Sequence, residues 1–162
     1  MPKGANEILL VIDMQQKYMN SYEPSLLERV NLRIQKAVAT DMPVVYVKNV
    51  GKPENEDKYV LAEGLDVVSG FVFAKRWPSA FSSEEFVQFI EQLNVDAINM
   101  IGVDGRCCVA RSAMDAKKRG YKVKLYLDSV AATNDKFFLK ELPEMQKAGI
   151  EIVSYRSIEW KR

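Results

Sequence analysis

Short continuous runs of apolar residues alternate along the chain with longer segments in which apolar residues recur every three or four positions. A continuous apolar run is typical of a strand buried on both faces, and the longer spacing is typical of one helical face. The runs predict six strands, at residues 7–12, 43–47, 71–74, 96–101, 122–127 and 150–154. The longer segments predict four helices, at residues 24–40, 82–93, 108–119 and 137–147. Because strands and helices alternate, the pattern favours an α/β fold with a parallel sheet between helices.

Capping residues and glycines refine the ends of these elements. Ser82 and Glu85 have the spacing of a capping box, which predicts that a helix begins at Ser82. Gly120 and Gly149 follow the last two predicted helices, where glycine commonly ends a helix. The charged segment 48–64 carries glycine and proline, and we predict a long loop at the surface.

Length and charge narrow the classes of function. The chain has 162 residues, which fits one domain spanning residues 1–162. It has 23 basic and 22 acidic side chains, so no charge excess points to nucleic acid or an anionic membrane, and we expect a small-molecule partner. The apolar run at residues 8–12 is too short for a signal sequence or a membrane span, so we expect a cytoplasmic protein.

The counts of histidine and cysteine restrict the chemistry further. Histidine is absent, which excludes Ser-His and Cys-His catalysis and any zinc site built on imidazole. The two cysteines, Cys107 and Cys108, are adjacent and cannot readily form a disulfide with each other. We expect no metal and no cofactor, and any catalytic base must be a carboxylate or a lysine.

Three reactive side chains lie where predicted strands end. Asp13 follows the first strand, Lys75 follows the third, and Cys108 lies just beyond the turn at residues 102–107. Ligands of open parallel sheets bind at the carboxyl ends of the strands, so the three can share one site. At the first turn of a helix, unpaired N–H groups would lower the pKa of the Cys108 thiol and could bind an oxyanion. Asp13 would exchange protons with the thiol, and Lys75 would hold the carboxylate.

Each of these residues also has a purely structural interpretation. A lone cysteine after a strand is commonly an inert core residue. Asp13 could simply cap a turn, and Lys75 could be a solvated charge beside a tryptophan, Trp77, that packs on the sheet edge. The occurrence of all three at strand ends favours a functional site.

Four segments together resemble the isochorismatase-like cysteine hydrolases, the family that includes nicotinamidases and N-carbamoyl amidohydrolases. Residues 9–19 resemble the opening strand and its D-x-Q-x-x-F signature, and residues 74–81 resemble a K-x-x-x-S-A-F segment. Residues 101–123 and 128–133 resemble the segments around and after the family's nucleophile. The four matches occur in the family's order and cover about residues 7–153.

The resemblance implies a catalytic triad in which Cys108 is the nucleophile, Asp13 the general acid-base and Lys75 the third member. The implied reaction is acyl transfer from a small amide, imide or carbamoyl compound to sulfur, followed by hydrolysis of the thioester. The resemblance also implies a three-layer αβα fold with a six-stranded, mostly parallel sheet, and assembly into dimers or larger homo-oligomers. It further implies a cis peptide between Val103 and Asp104, with the N–H groups of Asp104 and Cys108 forming the oxyanion hole.

Several residues depart from the family pattern or have open roles. Metal-bearing nicotinamidases use histidines that this chain lacks. Asp104 and Arg106 replace the usual residues of the turn. They either contact substrate or, as we expect, pair with each other or stay solvated at the surface. Cys107 takes the place of a valine, as a small apolar residue. Tyr18 and Trp77 either wall a substrate pocket or pack in the core or at the sheet edge.

Two other functions compete with a cysteine amidase. A protein with the same fold could bind a small molecule with little or no catalysis, and the altered turn at residues 104–106 favours that interpretation. Isochorismatases proper cleave an ether without a cysteine, and the presence of Cys108 argues against that branch. A nucleotide-binding module is not supported, because no glycine-rich phosphate loop follows the predicted strands.

Overall fold

Six parallel strands form one sheet in the computed structural model, which describes residues 6–51 and 58–154. The strands are β1 (Glu7–Ile12), β2 (Val44–Asn49), β3 (Val72–Lys75), β4 (Ala97–Val103), β5 (Lys122–Ala131) and β6 (Glu151–Val153). The helices are α1 (Ser25–Ala39), α2 (Glu84–Gln92), α3 (Cys108–Lys118) and α4 (Asp135–Lys147), with short 3₁₀ helices at Gln16–Ser21 and Ala80–Ser82. The strand order is β3-β2-β1-β4-β5-β6. The predicted α/β fold with a parallel sheet is confirmed.

The continuous apolar strands are buried because helices cover both faces of the sheet. Ile8, Leu10 and Ile12 of β1 pack into a core with residues of α2, α3 and α4. Leu9 and Val11, which point the other way, pack with residues of α1. All five side chains are at most 1% exposed. The result is three layers, αβα, with one helix on one face and three on the other.

Several predicted ends differ from the structure by one to four residues, and polar contacts explain three of them. β5 continues to Ala131, beyond the predicted end at residue 127, because the polar residues there have partners: Asp128, for example, pairs with Arg33 at 3.5 Å. The N-cap of α2 is Ser83, whose hydroxyl accepts the Phe86 N–H at 3.2 Å, so the predicted capping box at Ser82 was wrong by one residue. The N-cap of α4 is the side chain of Asn134, which starts the helix two residues early.

The predicted surface loop at 48–64 is only partly a surface loop. Residues 52–57 lie outside the described residues. After them, Tyr59 and Ala62 are 9% and 5% exposed. Ala62 donates its N–H to the Met14 carbonyl at 2.8 Å, so the chain returns against the end of β1. Backbone hydrogen bonding therefore folds the end of this segment over the carboxyl ends of the strands, where Asp13 lies.

The sheet reverses its direction of growth between β1 and β4, and this switch point positions the site. From β1 the chain adds β2 and β3 on one side, and it then crosses to add β4 on the other. Crossover helices diverge at such a point and leave a crevice at the strand ends. Gly102 of β4 pairs with Ile12 at a φ of 119°, and a Cβ atom there would lie 2.1 Å from the Ile12 carbonyl oxygen. Glycine thus permits β4 to approach β1 closely beside Asp13.

The helices formed by residues 6–51 and 58–154 include none with the length and apolar character required to cross a membrane.

Candidate active site

Asp13, Lys75 and Cys108 are brought to one end of the sheet. Asp13 follows β1, Lys75 is the last residue of β3, and Cys108 is the first residue of α3. They are 2%, 1% and 8% exposed. Lys75 Nζ lies 3.1 Å from Asp13 Oδ2 and also donates to the Trp77 carbonyl at 3.3 Å. β2 lies between β3 and β1, so the two strands are about 10 Å apart, a span that the long lysine side chain bridges.

The backbone at Asp13 has an unusual conformation that ends β1. Its φ is 52°, in the left-handed region that aspartate tolerates better than most residues. Its N–H still donates to the Val47 carbonyl at 3.0 Å, as in the sheet. Its own carbonyl accepts the Gln15 N–H at 2.8 Å and closes a tight turn. Asp13 is therefore fixed on both sides, and the chain leaves the sheet directly into the 3₁₀ helix at Gln16–Ser21.

Burial has the largest effect on the pKa values of Asp13 and Cys108 in the cluster formed by Asp13, Lys75 and Cys108. Burial raises the pKa of Asp13, and the charge of Lys75 together with side-chain interactions with Cys108 and Lys75 offsets only part of this. Burial, followed by the negative charge of Asp13, raises the pKa of Cys108 to about 12. The expected lowering of the Cys108 pKa at the start of α3 was therefore wrong. The sulfur is a neutral thiol at neutral pH and needs a base to become a nucleophile.

The Asp13 carboxylate is the basic group that interacts with this thiol. Oδ2 is engaged by Lys75, whereas the buried Oδ1 has no hydrogen-bond partner of normal geometry within the described part of the chain. The Cys108 thiol is close enough for each group to shift the pKa of the other. A carboxylate with a raised pKa and an unused oxygen can accept the thiol proton.

The Asp104 carboxylate organises the turn between β4 and α3. Oδ1 accepts the Arg106 N–H at 2.9 Å, and Oδ2 accepts the Thr133 N–H at 2.9 Å and the Tyr22 hydroxyl at 3.1 Å. The peptide between Val103 and Asp104 is cis, as the family resemblance implies. The turn is thus tied to the segment after β5 and to the end of the 3₁₀ helix at Gln16–Ser21.

Two backbone donors of this turn are left unused. The N–H groups of Cys107 and Val109 both donate to the Asp104 carbonyl at 3.0 Å, and that of Gly105 donates to Ala131 at 2.8 Å. In contrast, within residues 6–51 and 58–154 neither the Asp104 N–H nor the Cys108 N–H has an acceptor. These are the two donors that the family resemblance implies for the oxyanion hole, and they flank the turn that precedes Cys108.

Arg106 and Cys107 are not where the sequence suggested. Arg106 Nε pairs with Glu141 of α4 at 2.7 Å, so the expected surface pair with Asp104 was wrong. The Arg106 guanidinium also stacks 5.0 Å from the Phe137 ring, and this side chain links the turn to α4. Cys107 is exposed and is not an apolar core residue.

Tyr18 and Trp77 have different relations to the cluster. Tyr18 is half-buried, and burial and the nearby charges of Asp13 and Cys108 raise its pKa to about 12. The Trp77 carbonyl accepts a hydrogen bond from Lys75, whereas Trp77 as a whole is 70% exposed in a groove of about 700 Å³ beside α3. Packing of Trp77 on the sheet edge was therefore wrong.

Sequence reasoning missed two buried residues that support the cluster. Gln15 is fully buried, donates to the Asn49 and Tyr59 carbonyls at 3.0 and 3.2 Å, and accepts the Asn49 N–H at 2.7 Å. Ser112, also fully buried, accepts the Ala80 N–H at 2.9 Å and joins α3 to the segment after Lys75. Gln15 could have been found as a polar residue directly after a buried strand, but no local signal pairs Ser112 with a residue 32 positions away.

The residues present do not fit a metal centre of the imidazole type. The chain contains no histidine. Across residues 6–51 and 58–154, no three aspartate, glutamate or cysteine side chains group in a way that could hold a metal ion. The reactive groups of the site are the Asp13 carboxylate, the Lys75 ammonium and the Cys108 thiol.

Comparisons with known proteins agree with this architecture. A family model described as an isochorismatase domain matches residues 7–157. Isochorismatase domain-containing protein 2 of Xenopus laevis is 24% identical over 149 residues, covering 89% of this chain and 69% of that protein.

Two solved structures superpose over nearly their whole length. N-carbamoylsarcosine amidase from Thermoplasma acidophilum has a TM-score of 0.80 at 20% identity and covers 91% of this chain and 95% of its own. Pyrazinamidase from Pyrococcus horikoshii, in complex with zinc, has a TM-score of 0.74 at 22% identity, with coverage of 93% and 99%. At these identities the likeness establishes a shared three-layer fold.

Proposed function

The chain belongs to the isochorismatase domain family, and from this premise we propose that it is a cysteine hydrolase that cleaves the C–N bond of a small amide, imide or carbamoyl compound. The observation that carries the proposal is the buried Lys75–Asp13 pair. One oxygen of the Asp13 carboxylate has no hydrogen-bond partner among the described residues, and this carboxylate interacts with the Cys108 thiol. That arrangement supplies a base for a thiol that burial keeps neutral.

The first half of the reaction forms a thioester. Asp13 takes the thiol proton of Cys108 as the sulfur attacks the amide or carbamoyl carbon, and the carbonyl oxygen becomes an oxyanion. The N–H groups of Asp104 and Cys108 donate to that oxyanion, a contribution that is often worth about two to three orders of magnitude in rate. The C–N bond then breaks, and Asp13 returns the proton to the leaving ammonia or amine.

The second half releases the acid and restores the thiol. Water attacks the thioester carbon while Asp13 accepts one of its protons. The C–S bond then breaks to release the acid, and Asp13 returns that proton to sulfur to restore the Cys108 thiol. Lys75 keeps Asp13 oriented and partly offsets its negative charge throughout. General acid-base catalysis of this kind contributes roughly two to four orders of magnitude.

The proposed reaction uses no metal and no cofactor. The pyrazinamidase to which the chain is similar is a zinc complex by its description, whereas this chain has no histidine. Every step above is assigned to a side chain or backbone group of the protein itself. We further propose that the protein acts in the cytoplasm as a homo-oligomer, and the large exposed fraction of Trp77 supports a surface that a second copy covers.

Ammonia release tests the proposal directly. Small amides, imides, ureides and carbamoyl compounds are incubated with the protein and with the Cys108→Ala variant, and Cys107→Ala is the matched control one residue away. We expect at least one compound to be hydrolysed by the wild type and by Cys107→Ala, and not by Cys108→Ala. Equal turnover by Cys108→Ala would contradict the proposal.

A binding protein with little catalysis is the second candidate, and the raised pKa of Cys108 favours it because a neutral thiol is a poor nucleophile. Intact-mass spectrometry separates the two functions. If the protein is a hydrolase, incubation with a substrate amide or the corresponding activated ester adds the mass of the acyl group. We expect Cys107→Ala to show the same adduct and Cys108→Ala to show none. Binding without any acyl adduct and without turnover would support the second candidate.

A further inference from the structure

A buried hydrogen bond joins the helix that carries Cys108 to the segment that follows Lys75. The Ser112 hydroxyl, on α3, accepts the Ala80 N–H at 2.9 Å, and both residues are fully buried. Ala80 begins the 3₁₀ helix Ala80–Ser82, and the first N–H groups of a helix have no acceptor within it. Ser112 thus supplies, from a distant part of the chain, the acceptor that this helix start requires.

Ser112 lies at the end of α3 that begins with Cys108. Cys108 is the first residue of the helix, and Ser112 follows it by four positions. Residues four apart lie one above the other on the same helical face, roughly 5–6 Å apart. Cys108 and Ala80 also belong to one apolar core, together with Phe81 of the 3₁₀ helix. The first turns of α3 therefore pack against the segment to which Ser112 is hydrogen-bonded.

The same segment fixes the Lys75 ammonium. The Trp77 carbonyl accepts a hydrogen bond from Lys75 Nζ at 3.3 Å and another from the Ser82 hydroxyl at 3.5 Å. Lys75 Nζ in turn lies 3.1 Å from Asp13 Oδ2. Residues 77–82 therefore connect α3, which carries the thiol, to the ion pair that contains its base.

Loss of the Ser112 hydroxyl would loosen this connection. Ala80 would keep a buried N–H with no acceptor, which is strongly unfavourable away from water. The expected response is a separation of α3 from residues 77–82 that admits water to the N–H. Because residues 77–82 hold Lys75, and Lys75 holds the base, the same movement would separate the thiol from the base.

We propose that Ser112 is a positioning residue, which sets the distance of the Cys108 sulfur from the Asp13–Lys75 pair. A misplacement of roughly 1 Å can lower a rate about a hundredfold, so a hydrogen bond remote from the substrate can control turnover. The effect of Ser112 on hydrolysis rests on the proposed function, whereas its effect on the thiol does not, and the two are measured separately.

Alkylation of Cys108 tests the position of the thiol without any turnover. Iodoacetamide transfers its CH₂CONH₂ group to the thiolate with loss of iodide, and a Cys107→Ser background leaves Cys108 as the one thiol of the chain. Burial and the charge of Asp13 raise the pKa of Cys108 to about 12, so a thiol that moves away from both ionises more and reacts faster. We expect Ser112→Ala to raise the rate constant at pH 9 about fivefold, and Ser112→Thr, which keeps the hydroxyl, to leave it close to that of the parent.

Ser129→Ala is the matched control for the loss of a buried hydroxyl. Ser129 is fully buried in β5, and its hydroxyl donates to the Arg29 carbonyl of α1 at 3.3 Å, on the opposite face of the sheet from α3. Urea denaturation verifies that every variant is folded under the assay conditions. We expect Ser129→Ala to leave the alkylation rate unchanged. An unchanged rate in Ser112→Ala, or an equal rise in Ser129→Ala, would overturn the positioning role.

Hydrolysis then tests the consequence for catalysis, with any amide that the wild type turns over. We expect Ser112→Ala to lower kcat about tenfold with little change in KM, because substrate still binds while the thiol and its base are separated. Ser112→Thr and Ser129→Ala should keep the wild-type kcat. Hydrolysis by the wild type with an unchanged kcat in Ser112→Ala would overturn the positioning role and leave the hydrolase function standing. Faster alkylation of Ser112→Ala in a protein that hydrolyses no amide would support the positioning of the thiol and contradict the hydrolase function.

Discussion

Lys75 Nζ lies 3.1 Å from Asp13 Oδ2, and the two side chains are 0% and 3% exposed. Such a pair is stable only when further hydrogen bonds offset the loss of water. The ammonium has one, to the Trp77 carbonyl, whereas the second carboxylate oxygen has none among the residues that the structure describes. The carboxylate is therefore the less completely satisfied member of the pair, and it is also the member that interacts with the Cys108 thiol.

Replacing one member of this pair should be more harmful than replacing both. Lys75→Met leaves a buried, uncompensated Asp13, and we expect the free energy of unfolding to fall by about 3–5 kcal/mol. In the double variant Asp13→Asn, Lys75→Met, no charge is left without a partner, and we expect much of that stability to return while hydrolysis stays abolished. Urea denaturation and ammonia release measure the two quantities. A double variant no more stable than Lys75→Met would contradict the ion-pair argument.

The sheet and the location of the cluster could be predicted because they depend on local patterns. Continuous apolar runs such as Ile8–Ile12 define buried strands, and parallel strands bring the residues that follow them to one edge. Asp13 and Lys75 therefore meet although 62 positions separate them. The resemblance to known hydrolases added the cis peptide before Asp104, which no local pattern indicates.

The contacts of the turn could not be predicted, because they depend on segments distant in sequence. Arg106 pairs with Glu141 rather than Asp104 because α4 packs against the turn, and Asp104 instead accepts hydrogen bonds from Tyr22 and Thr133. The pKa of Cys108 was predicted in the wrong direction for a related reason. The position of a thiol at a helix start is visible in the sequence, but its burial against Asp13 is not.

Because the pKa of Cys108 is raised on folding, the free energy of unfolding should vary with pH in the alkaline range. The ordinary value is 9.0 and the folded value is about 12, so between these values the folded protein holds a proton that the unfolded chain has lost. Folding is therefore favoured below pH 9, and this contribution is lost as the pH rises toward 12. We expect the stability advantage of the wild type over Cys108→Ala, measured by urea denaturation, to shrink between pH 8 and pH 10.5. A difference that stays constant or grows would mean that the thiol is not protonated in the folded protein.

Asp104 should act on the rate rather than on substrate affinity. Asp104→Asn keeps one oxygen acceptor but places an amide N–H₂ either against the Arg106 N–H or against both the Tyr22 hydroxyl and the Thr133 N–H, so the turn should shift. Because the Asp104 and Cys108 N–H groups must point at the oxyanion, we expect kcat to fall about tenfold to a hundredfold with little change in KM. Steady-state kinetics with any amide that the wild type hydrolyses measure kcat and KM.

Tyr22→Phe is the control for this prediction, since it removes one of the three hydrogen bonds to the carboxylate and leaves Asp104 itself unchanged. We expect a loss in kcat smaller than that of Asp104→Asn. A large rise in KM with unchanged kcat in Asp104→Asn would instead place the carboxylate in direct contact with substrate.

Gly105 is packed so closely that a side chain there would collide with the Phe138 ring of α4. A Cβ atom would lie 2.8 Å from Phe138 Cε1, and the Phe138 ring is 3% exposed in the core. We expect Gly105→Ala to lower the free energy of unfolding by about 1–3 kcal/mol through overpacking. Phe138→Leu should relieve the contact. The double variant should therefore lose less free energy of unfolding than the sum of the losses in the two single variants. Additive effects in this double-mutant cycle, measured by urea denaturation, would show that Phe138 is not what excludes a side chain at Gly105.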